Sequence, residues 1–252
     1  MVGNMYRTVQ LALVAALVTS AAQAADMPVK AAAPIPYTQG PWFEVFGGLS
    51  VAPRSIYGYA GGVFALNRDL NQDGWLLRIS GGGGHYDYYR AVGLEQGVNF
   101  EAGNLSIGYQ TFLGTTRLSG YIGADVEHHD NSDPLAKIRG TKWGVKGQGE
   151  IYAPIGNVGY AYLLGTMSSV WNNYFVMGKL GYNITNTISI GPEAIALGND
   201  RFDAVRVGPF VSFAILPNVD LIVSGGYSWD TRSNNLNDNS GGYGSLHLRA
   251  LF

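Results

Sequence analysis

The four histidines are the side chains of this sequence best suited to acid–base or nucleophilic chemistry. They are His85, His128, His129 and His247. A catalytic serine needs a histidine within hydrogen-bond reach and a third group that orients the imidazole. No His-x-Ser arrangement occurs, and three of the four histidines stand near the ends of predicted strands, beside predicted loops. The sequence therefore predicts no catalytic residues, and we expect no enzymatic activity.

Three motifs resemble ligand sites in part. "EHHDNSD" at 127–133 gathers imidazole and carboxylate groups, but adjacent residues of a strand point to opposite faces. "NRDLNQDG" at 67–74 lacks the full spacing and the closing glutamate of a calcium loop. "GGGG" at 81–84 precedes no helix that would hold a phosphate. We interpret them as a solvated loop, a turn and a strand that allows close approach, and we expect no metal and no cofactor.

Composition limits the class of protein. The 252 residues carry a formal net charge of -2, so no basic field favours nucleic acid as a partner. Only 13% of the residues are charged, 12% are aromatic and 36 are glycine, which is little charge for a water-exposed surface of this size. The absence of cysteine excludes disulfide bonds and thiolate chemistry.

The N-terminus has the pattern of a secretory signal peptide. Arg7 is followed by the apolar run "VQLALVAALV", and the small residues "TSAAQA" end in an Ala-Gln-Ala cleavage site. The apolar run is too short for a membrane anchor. We predict a signal peptide over residues 1–24 and a Pro/Ala-rich periplasmic lead-in over 25–41.

From Trp42 onward, segments of about ten residues alternate apolar with small or polar side chains, a period that predicts antiparallel strands. In one segment Val205 and Val207 share one side while Arg206 lies on the other. The links at one end are mostly long and those at the other are mostly tight turns, as in outer-membrane barrels. The predicted strands run over 42–51, 56–66, 75–88, 99–111, 117–128, 141–153, 158–168, 174–183, 187–198, 204–215, 219–230 and 243–252.

Alternation alone does not separate a membrane barrel from a soluble β-sandwich, because the two architectures turn opposite faces to water. The signal peptide, the even number of strands and the terminal "LHLRALF" favour the barrel. We therefore predict an all-β fold over 42–252, a transmembrane antiparallel up-and-down β-barrel of about 12 strands in the bacterial outer membrane. A periplasmic or secreted sandwich is the alternative. Phe252 then ends the closing strand, and it resembles the terminal aromatic signal read by the outer-membrane assembly machinery.

The apolar face of such a barrel contacts outer-membrane lipid, and aromatic residues near the strand ends are expected to form interfacial girdles. The residues predicted for these girdles are Trp42, Trp75, Tyr109, Tyr152, Tyr182 and Trp229.

The polar face lines the lumen, where we look for function. Both signs of charge occur on this face, so it forms no one-sided cationic track for anionic sugars. These side chains either pair with one another and fill a narrow interior, or act as a selective filter. The candidate lumen-lining residues are Glu44, Arg78, Arg117, Tyr121, Asp125, Glu127, Lys142, Lys146, Glu150, Lys179, Glu193, Arg206, Asp220 and Arg249.

Several stretches resemble the cellulose biosynthesis protein S (BcsS) family of alphaproteobacteria. They are "YGYAGGVFALNRDLNQDGWLLRISGGGGHYDY" (57–88), "GYQTFLG" (108–114), "GPEAIALGND" (191–200) and "RVGPF" (206–210). The likeness extends from Trp42 to Phe252 and consists mostly of glycine, aromatic and turn residues. It implies an outer-membrane protein associated with cellulose synthesis or export, and it brings no catalytic residues with it.

Three functions follow from the predicted barrel and this resemblance. The first is a non-enzymatic accessory of cellulose biosynthesis or export, either a conduit for the polysaccharide or an anchor that holds it through extracellular loops. The second is a small oligosaccharide-selective diffusion channel, and the third is a structural or adhesive surface barrel. The expected partners are outer-membrane lipid, cellulose or cello-oligosaccharide, other components of the cellulose secretion apparatus, and the assembly machinery.

Overall fold

The alternating segments form twelve strands, as the sequence predicts. The computed structural model describes residues 40–89, 95–231 and 240–252. The strands are β1 (Phe43–Ala52), β2 (Ser55–Ala65), β3 (Gly74–Tyr89), β4 (Glu95–Leu113), β5 (Thr116–Asp130), β6 (Gly140–Ile155), β7 (Gly159–Ser168), β8 (Tyr174–Asn183), β9 (Ile188–Gly198), β10 (Asp203–Leu216), β11 (Val219–Asp230) and β12 (Gly241–Leu251).

The twelve strands close into one antiparallel barrel. Each strand pairs with its neighbours in the sequence, and β1 pairs with β12 from Glu44 opposite Leu251 to Val51 opposite Gly244. Phe252 completes this seam, since its carbonyl accepts from the backbone N–H of Trp42 at 2.6 Å and its ring stacks on Phe43 at 4.8 Å. Closure leaves no free strand edge, which a lipid environment requires. The barrel prediction is confirmed, and the sandwich alternative is wrong.

The outer surface of the barrel is apolar. Ile122 on β5 is 61% exposed, and Leu180 on β8 and Trp143 on β6 are also exposed on the outer face. Residues of the opposite parity, such as Asp125 and Lys179, are buried inside. This arrangement inverts that of a water-soluble protein and matches a barrel whose outer face contacts lipid.

The predicted girdle residues lie on the outer face with one exception. Trp42, Trp75, Tyr109, Tyr182 and Trp229 are all exposed. Tyr152 was assigned wrongly, because it shares the parity of Glu150 on β6 and therefore points inward. Its ring packs 5.5 Å from that of Tyr160 and contacts the buried core.

The two ends of the barrel differ, and we name them by what they carry. The terminus end holds Phe43 and Phe252 together with the connections 66–73, 114–115, 156–158, 184–187 and 217–218. At the loop end the structure describes the connections 53–54, 131–139, 169–173 and 199–202, and the strand ends on either side of 90–94 and 231–240 lie there too. The loop end has most of the longer connections, as predicted, although 53–54 is short and 66–73 at the other end is long.

The wall of the barrel is uneven in height. β4 has 19 residues and β6 has 16, whereas β7 and β8 have 10 each. About ten tilted residues suffice to cross the hydrocarbon core. The first residues of β6 rise above the end of β7, and the connection 169–173 packs against them: the backbone N–H of Ser169 donates to the carbonyl of Val145 at 2.9 Å.

Inward-facing glycines allow large rings to lie against the wall. A β-carbon added at Gly48 would collide with the ring of Tyr59 on the neighbouring strand, and one added at Gly82 would collide with that of Tyr57. Phe46 lies over Gly61 in the same way. The rings therefore extend along the wall across adjacent strands, which packs glycine and aromatic residues as complementary shapes.

The predicted signal peptide over 1–24 and nearly all of the lead-in over 25–41 lie outside the described residues, so both stay predictions. Within the ranges that the structure describes, no helix is long and apolar enough to cross a membrane.

Candidate functional site

The barrel interior gathers the fourteen side chains selected from the sequence. Arg117 and Lys142 are half-buried, and the exposed fraction of each of the others is between 1% and 9%. Side chains that line an aqueous pore stay accessible to water. Along the described strands, the lumen is therefore filled by side chains rather than by a wide column of water.

Ion pairs connect neighbouring strands inside the barrel. Arg249 on β12 lies 2.5 Å from Glu44 on β1, and Lys179 on β8 lies 2.5 Å from Glu193 on β9. Tyr243 also donates to Glu193 at 3.1 Å. These buried charges are matched by opposite charges and hydrogen bonds, which offsets the cost of removing them from water.

A second charged cluster lies nearer the loop end. Lys146 lies 3.4 Å from Asp125, and Ser168 donates to the same carboxylate at 2.5 Å. Glu127 accepts from Asn173 at 2.8 Å. Nearer the terminus end, Glu150 accepts from Gln148 at 2.5 Å. Each of these carboxylates is thus held by a neighbouring donor.

Two interior arginines lie over aromatic rings that the sequence analysis did not select. The guanidinium carbon of Arg78 is 4.4 Å from the ring centre of Phe46, and that of Arg206 is 5.4 Å from Tyr243. Arg206 donates one longer hydrogen bond to Ser50, at 3.4 Å. Cation–π contacts of this kind are favourable when the cation is desolvated. Parity identified the charges but not the rings that face them.

The histidines divide between the two faces, as alternation requires. His85 contacts Asn99 and Asp87 on the outer face, and His128 contacts Thr141 there. The neighbouring His129 is buried inside, 3.1 Å from the Tyr86 hydroxyl. Among the described residues, no group of three or more His, Asp and Glu side chains is arranged to hold a metal ion.

His247 has a serine neighbour that the sequence analysis missed. Its Nε2 lies 3.1 Å from Oγ of Ser245, and its Nδ1 contacts the hydroxyl of Tyr59. The spacing Ser-x-His places both side chains on the same face of β12. This contact has the nucleophile–base geometry of a hydrolase, but a tyrosine occupies the third position, and the imidazole is buried in the filled lumen.

A run of rings follows the inner wall toward the loop end, and we call it the aromatic run. Its members are Tyr59, Tyr57, Phe100, Tyr86, His129 and Trp171. The ring centres of Tyr59 and Tyr57 are 5.8 Å apart, and those of Tyr57 and Phe100 are 5.7 Å apart, with interplanar angles of 20° and 26°. Phe100 lies 5.9 Å from Tyr86 and 5.6 Å from His129. All six are buried.

Three loop-end connections cover the end of this run, and we call them the cap. They are 131–139, 169–173 and 199–202. Ile138, Val170 and Trp171 form a small apolar cluster within the cap, separate from the main core. The ring of Trp171 lies 4.7 Å from that of His129, edge to face. The cap therefore covers the loop-end side of the aromatic run by placing the indole of Trp171 on the ring of His129.

One carboxylate ties the three connections together. Asp200 accepts from Lys137 at 3.1 Å and from the side chain of Asn172 at 2.7 Å, and its N–H donates to the carbonyl of Trp171 at 2.9 Å. Burial raises the pKa of Asp200, but the hydrogen bonds from Asn172 and Lys137 outweigh burial and hold this pKa below 3.8.

The backbone of the cap is strained at two successive residues. Trp171 has a φ of 46° and Asn172 a φ of 52°, both in the left-handed region. A left-handed conformation costs a residue other than glycine about 1 kcal/mol or more, so contacts elsewhere must hold it. The sequence signal for this feature was a tryptophan in the polar link "SVWNNY", which alternation does not explain.

A family comparison matches almost the whole barrel. The model of the family described as "Cellulose biosynthesis protein BcsS" matches residues 44–252. The chain belongs to this BcsS family. The resemblance seen in the sequence is thereby confirmed for the family, and the protein is associated with cellulose biosynthesis. A search of curated proteins found no match.

Three solved structures are similar to this chain. An outer membrane channel from Pseudomonas putida F1 is 10% identical to this BcsS protein, with a TM-score of 0.52 over 90% of this chain and 99% of that one. A KdgM porin is 10% identical, with a TM-score of 0.48 over 83% and 99%. The β domain of the Bordetella autotransporter BrkA is 15% identical, with a TM-score of 0.44 over 85% and 99%. The P. putida channel supports the fold, and the apolar outer face places the protein in the outer membrane.

Proposed function

We propose that this BcsS protein is a non-enzymatic accessory barrel of cellulose biosynthesis that is closed at rest and holds the polysaccharide at its loop end. The observation that carries the proposal is the filled lumen. Ion pairs join neighbouring strands inside it, and hydrogen bonds from Tyr243 to Glu193 and from Arg206 to Ser50 connect strands that are not neighbours. The cap covers the aromatic run at the loop end. Family membership supplies the association with cellulose.

The other candidate functions, except a purely structural barrel, require an interior that differs from the one observed. A small oligosaccharide-selective diffusion channel needs a permanent aqueous path, which the buried Arg78, Lys179 and Glu193 oppose. A conduit for the polysaccharide would require Tyr243 and Arg206 to leave Glu193 and Ser50, their partners on strands that are not neighbours. A purely structural or adhesive barrel agrees with a closed lumen, and it differs from our proposal in predicting no binding of glucan.

The first test is conductance of the refolded mature protein in a planar bilayer, followed by titration with cello-oligosaccharides. We expect a correctly folded barrel with no steady openings. Steady openings that the sugars block would favour the diffusion channel or the conduit. A second test measures the cellulose held at the cell surface in a deletion strain and in the same strain complemented with the wild-type gene. We expect less surface cellulose in the deletion strain.

The non-enzymatic part of the proposal is tested at the Ser245–His247 contact. Ser245→Ala removes the hydroxyl 3.1 Å from the imidazole. We expect this variant to fold and to restore surface cellulose in the deletion strain. A folded Ser245→Ala protein that fails to complement the strain, while Ser224→Ala complements it, would indicate catalysis by this pair.

A further inference from the structure

We infer that the aromatic run is a binding site for a neutral β-linked glucan, covered by the cap and exposed when the cap opens. The inference rests on the proposed function, because it names the site at which the closed barrel would hold its polysaccharide. The cap would move to uncover the site, and the glucan would stack on five rings of the run. These rings belong to Tyr59, Tyr57, Phe100, Tyr86 and His129.

The shape of the wall supports a sugar ligand. Tyr57 and Tyr59 lie across inward-facing glycines, so their rings extend along the wall instead of pointing across the lumen. Successive rings are nearly parallel, at 20° and 26°. A pyranose ring of a β-linked glucan has an apolar face of C–H groups and hydroxyls at its edge, and it stacks on flat rings of this kind. A series of such rings suits a chain of sugars better than a single one.

Hydrogen-bonding groups border the run where sugar hydroxyls would lie. The hydroxyl of Tyr86 contacts His129, and that of Tyr88 donates to Asn131 at 3.2 Å. Asn173 reaches Glu127 beside them. Sites for small polar ligands combine aromatic walls with a few polar groups in the same way.

The charges near the run favour a neutral ligand over an acidic one. Glu127 lies beside His129, at 3.4 Å. Asp125 on the same strand is already paired with Lys146. Lys142 and Lys146 offset the charges of these two carboxylates, so the site has no net positive charge that would attract an acidic polysaccharide.

The cap has the properties of a cover that can move off the aromatic run. Its apolar cluster is only Ile138, Val170 and Trp171, separate from the barrel core. Two of its backbone residues are strained, and Asp200 holds its three connections together through exposed or half-buried groups. The barrel wall beneath it is held by continuous strand pairing from β1 to β12. The cap therefore opens at a lower cost than the strand-paired wall beneath it.

In the closed state Trp171 occupies the end of the run. Its indole lies edge to face on His129, and Lys142 lies 5.7 Å from the same indole. When the cap moves away, the face of His129 and then that of Phe100 become available to a sugar ring. The indole of Trp171 thus stands where the first pyranose would bind.

The experiment measures cellohexaose binding to the refolded mature protein by isothermal titration calorimetry. Asp200→Ala removes the carboxylate that connects the three parts of the cap. We expect this variant to bind cellohexaose about tenfold more tightly than the wild type. Asp69→Ala makes the same charge change at the terminus end and should leave the affinity unchanged. Phe100→Leu keeps a large apolar side chain but removes a ring of the run, and we expect about tenfold weaker binding in the Asp200→Ala background.

Phe210→Leu is the matched control for the ring, because Phe210 is a buried interior aromatic outside the run. Folding of each variant is checked by heat-modifiable gel mobility. The inference would be overturned if Phe100→Leu left the affinity for cellohexaose unchanged. It would also be overturned if Phe210→Leu weakened this affinity as much as Phe100→Leu does. A folded Asp200→Ala protein that binds no cellohexaose would overturn it too. In each of those cases the conductance and surface-cellulose tests still judge the proposed function separately.

Discussion

The guanidinium of Arg249 lies 2.5 Å from the carboxylate of Glu44, and this ion pair joins the last strand of the barrel to the first. Both side chains are buried. The seam between β1 and β12 is thus held by an ion pair inside the barrel and by the stacking of Phe252 on Phe43 outside it. The closing strands are secured on both faces.

Arg249→Met should destabilise the folded barrel by about 3–5 kcal/mol, because it leaves the carboxylate of Glu44 buried without this partner. Urea unfolding of the protein in lipid vesicles measures the change. The double variant Glu44→Gln/Arg249→Met should be less destabilised than the single variant. Equal destabilisation of the two would mean that the ion pair does not hold the seam.

Removing Phe252 should lower the amount of barrel assembled in cells. The ring stacks on Phe43, the carbonyl accepts from Trp42, and we propose that the terminal aromatic is read by the assembly machinery. Quantifying the surface-exposed, heat-modifiable protein tests this. Phe252→Tyr retains an aromatic ring and should assemble nearly normally, whereas normal surface levels of the truncated chain would contradict the assignment.

Ile122→Arg should impair folding into bilayers by about 2–4 kcal/mol, because Ile122 lies midway along β5 on the lipid-facing side. The fraction folded into vesicles at increasing urea gives the difference. Leu135→Arg is the matched control, since Leu135 is 91% exposed in a loop-end connection. Similar losses from the two substitutions would show that Ile122 does not face lipid.

Gly48→Ala should destabilise the barrel by about 1–3 kcal/mol through overpacking. An added β-carbon would lie 2.6 Å from the carbonyl oxygen of Leu246 and 2.6 Å from the hydroxyl of Tyr59. Gly165→Ala makes the same change where nothing lies within 4 Å, and it should be neutral in the same unfolding assay. A neutral Gly48→Ala would argue against the packing of Tyr59 along the wall.

Acid should loosen the cap. The pKa of Asp200 is lower in the folded cap than the 3.8 of a free aspartate, so its charge stabilises the cap above that value. This stabilisation is lost as the pH falls through the lowered pKa. Lys137 and Lys142 are the cations that face the carboxylate.

Acrylamide quenching of Trp171 fluorescence reports this loosening when the signal of Trp171→Phe is subtracted from that of the wild type. Quenching should rise at pH values below 3.8. Asp200→Asn does not titrate, so its quenching should show no step at this pH. An acid step of the same size in Asp200→Asn would assign the loosening to another group.

The strand pattern is the part of this protein that the sequence determined by itself. A side-chain period of two, turn residues between the segments and an apolar closing strand are local properties of the backbone, so they predicted twelve strands and their inner and outer faces. The same parity selected interior charges such as Glu44 and Arg249 before any contact was known. It also separated His128 from His129.

Only the tertiary structure decided which of these side chains meet. The partners of Asp125 and Glu193 depend on the register and tilt of the closed barrel, and parity carries no information about either. Tyr152 was assigned to the wrong face because its position near a strand end was given more weight than its parity. The cap was not predicted, because Lys137, Trp171 and Asp200 come from three connections that only closure of the barrel brings together.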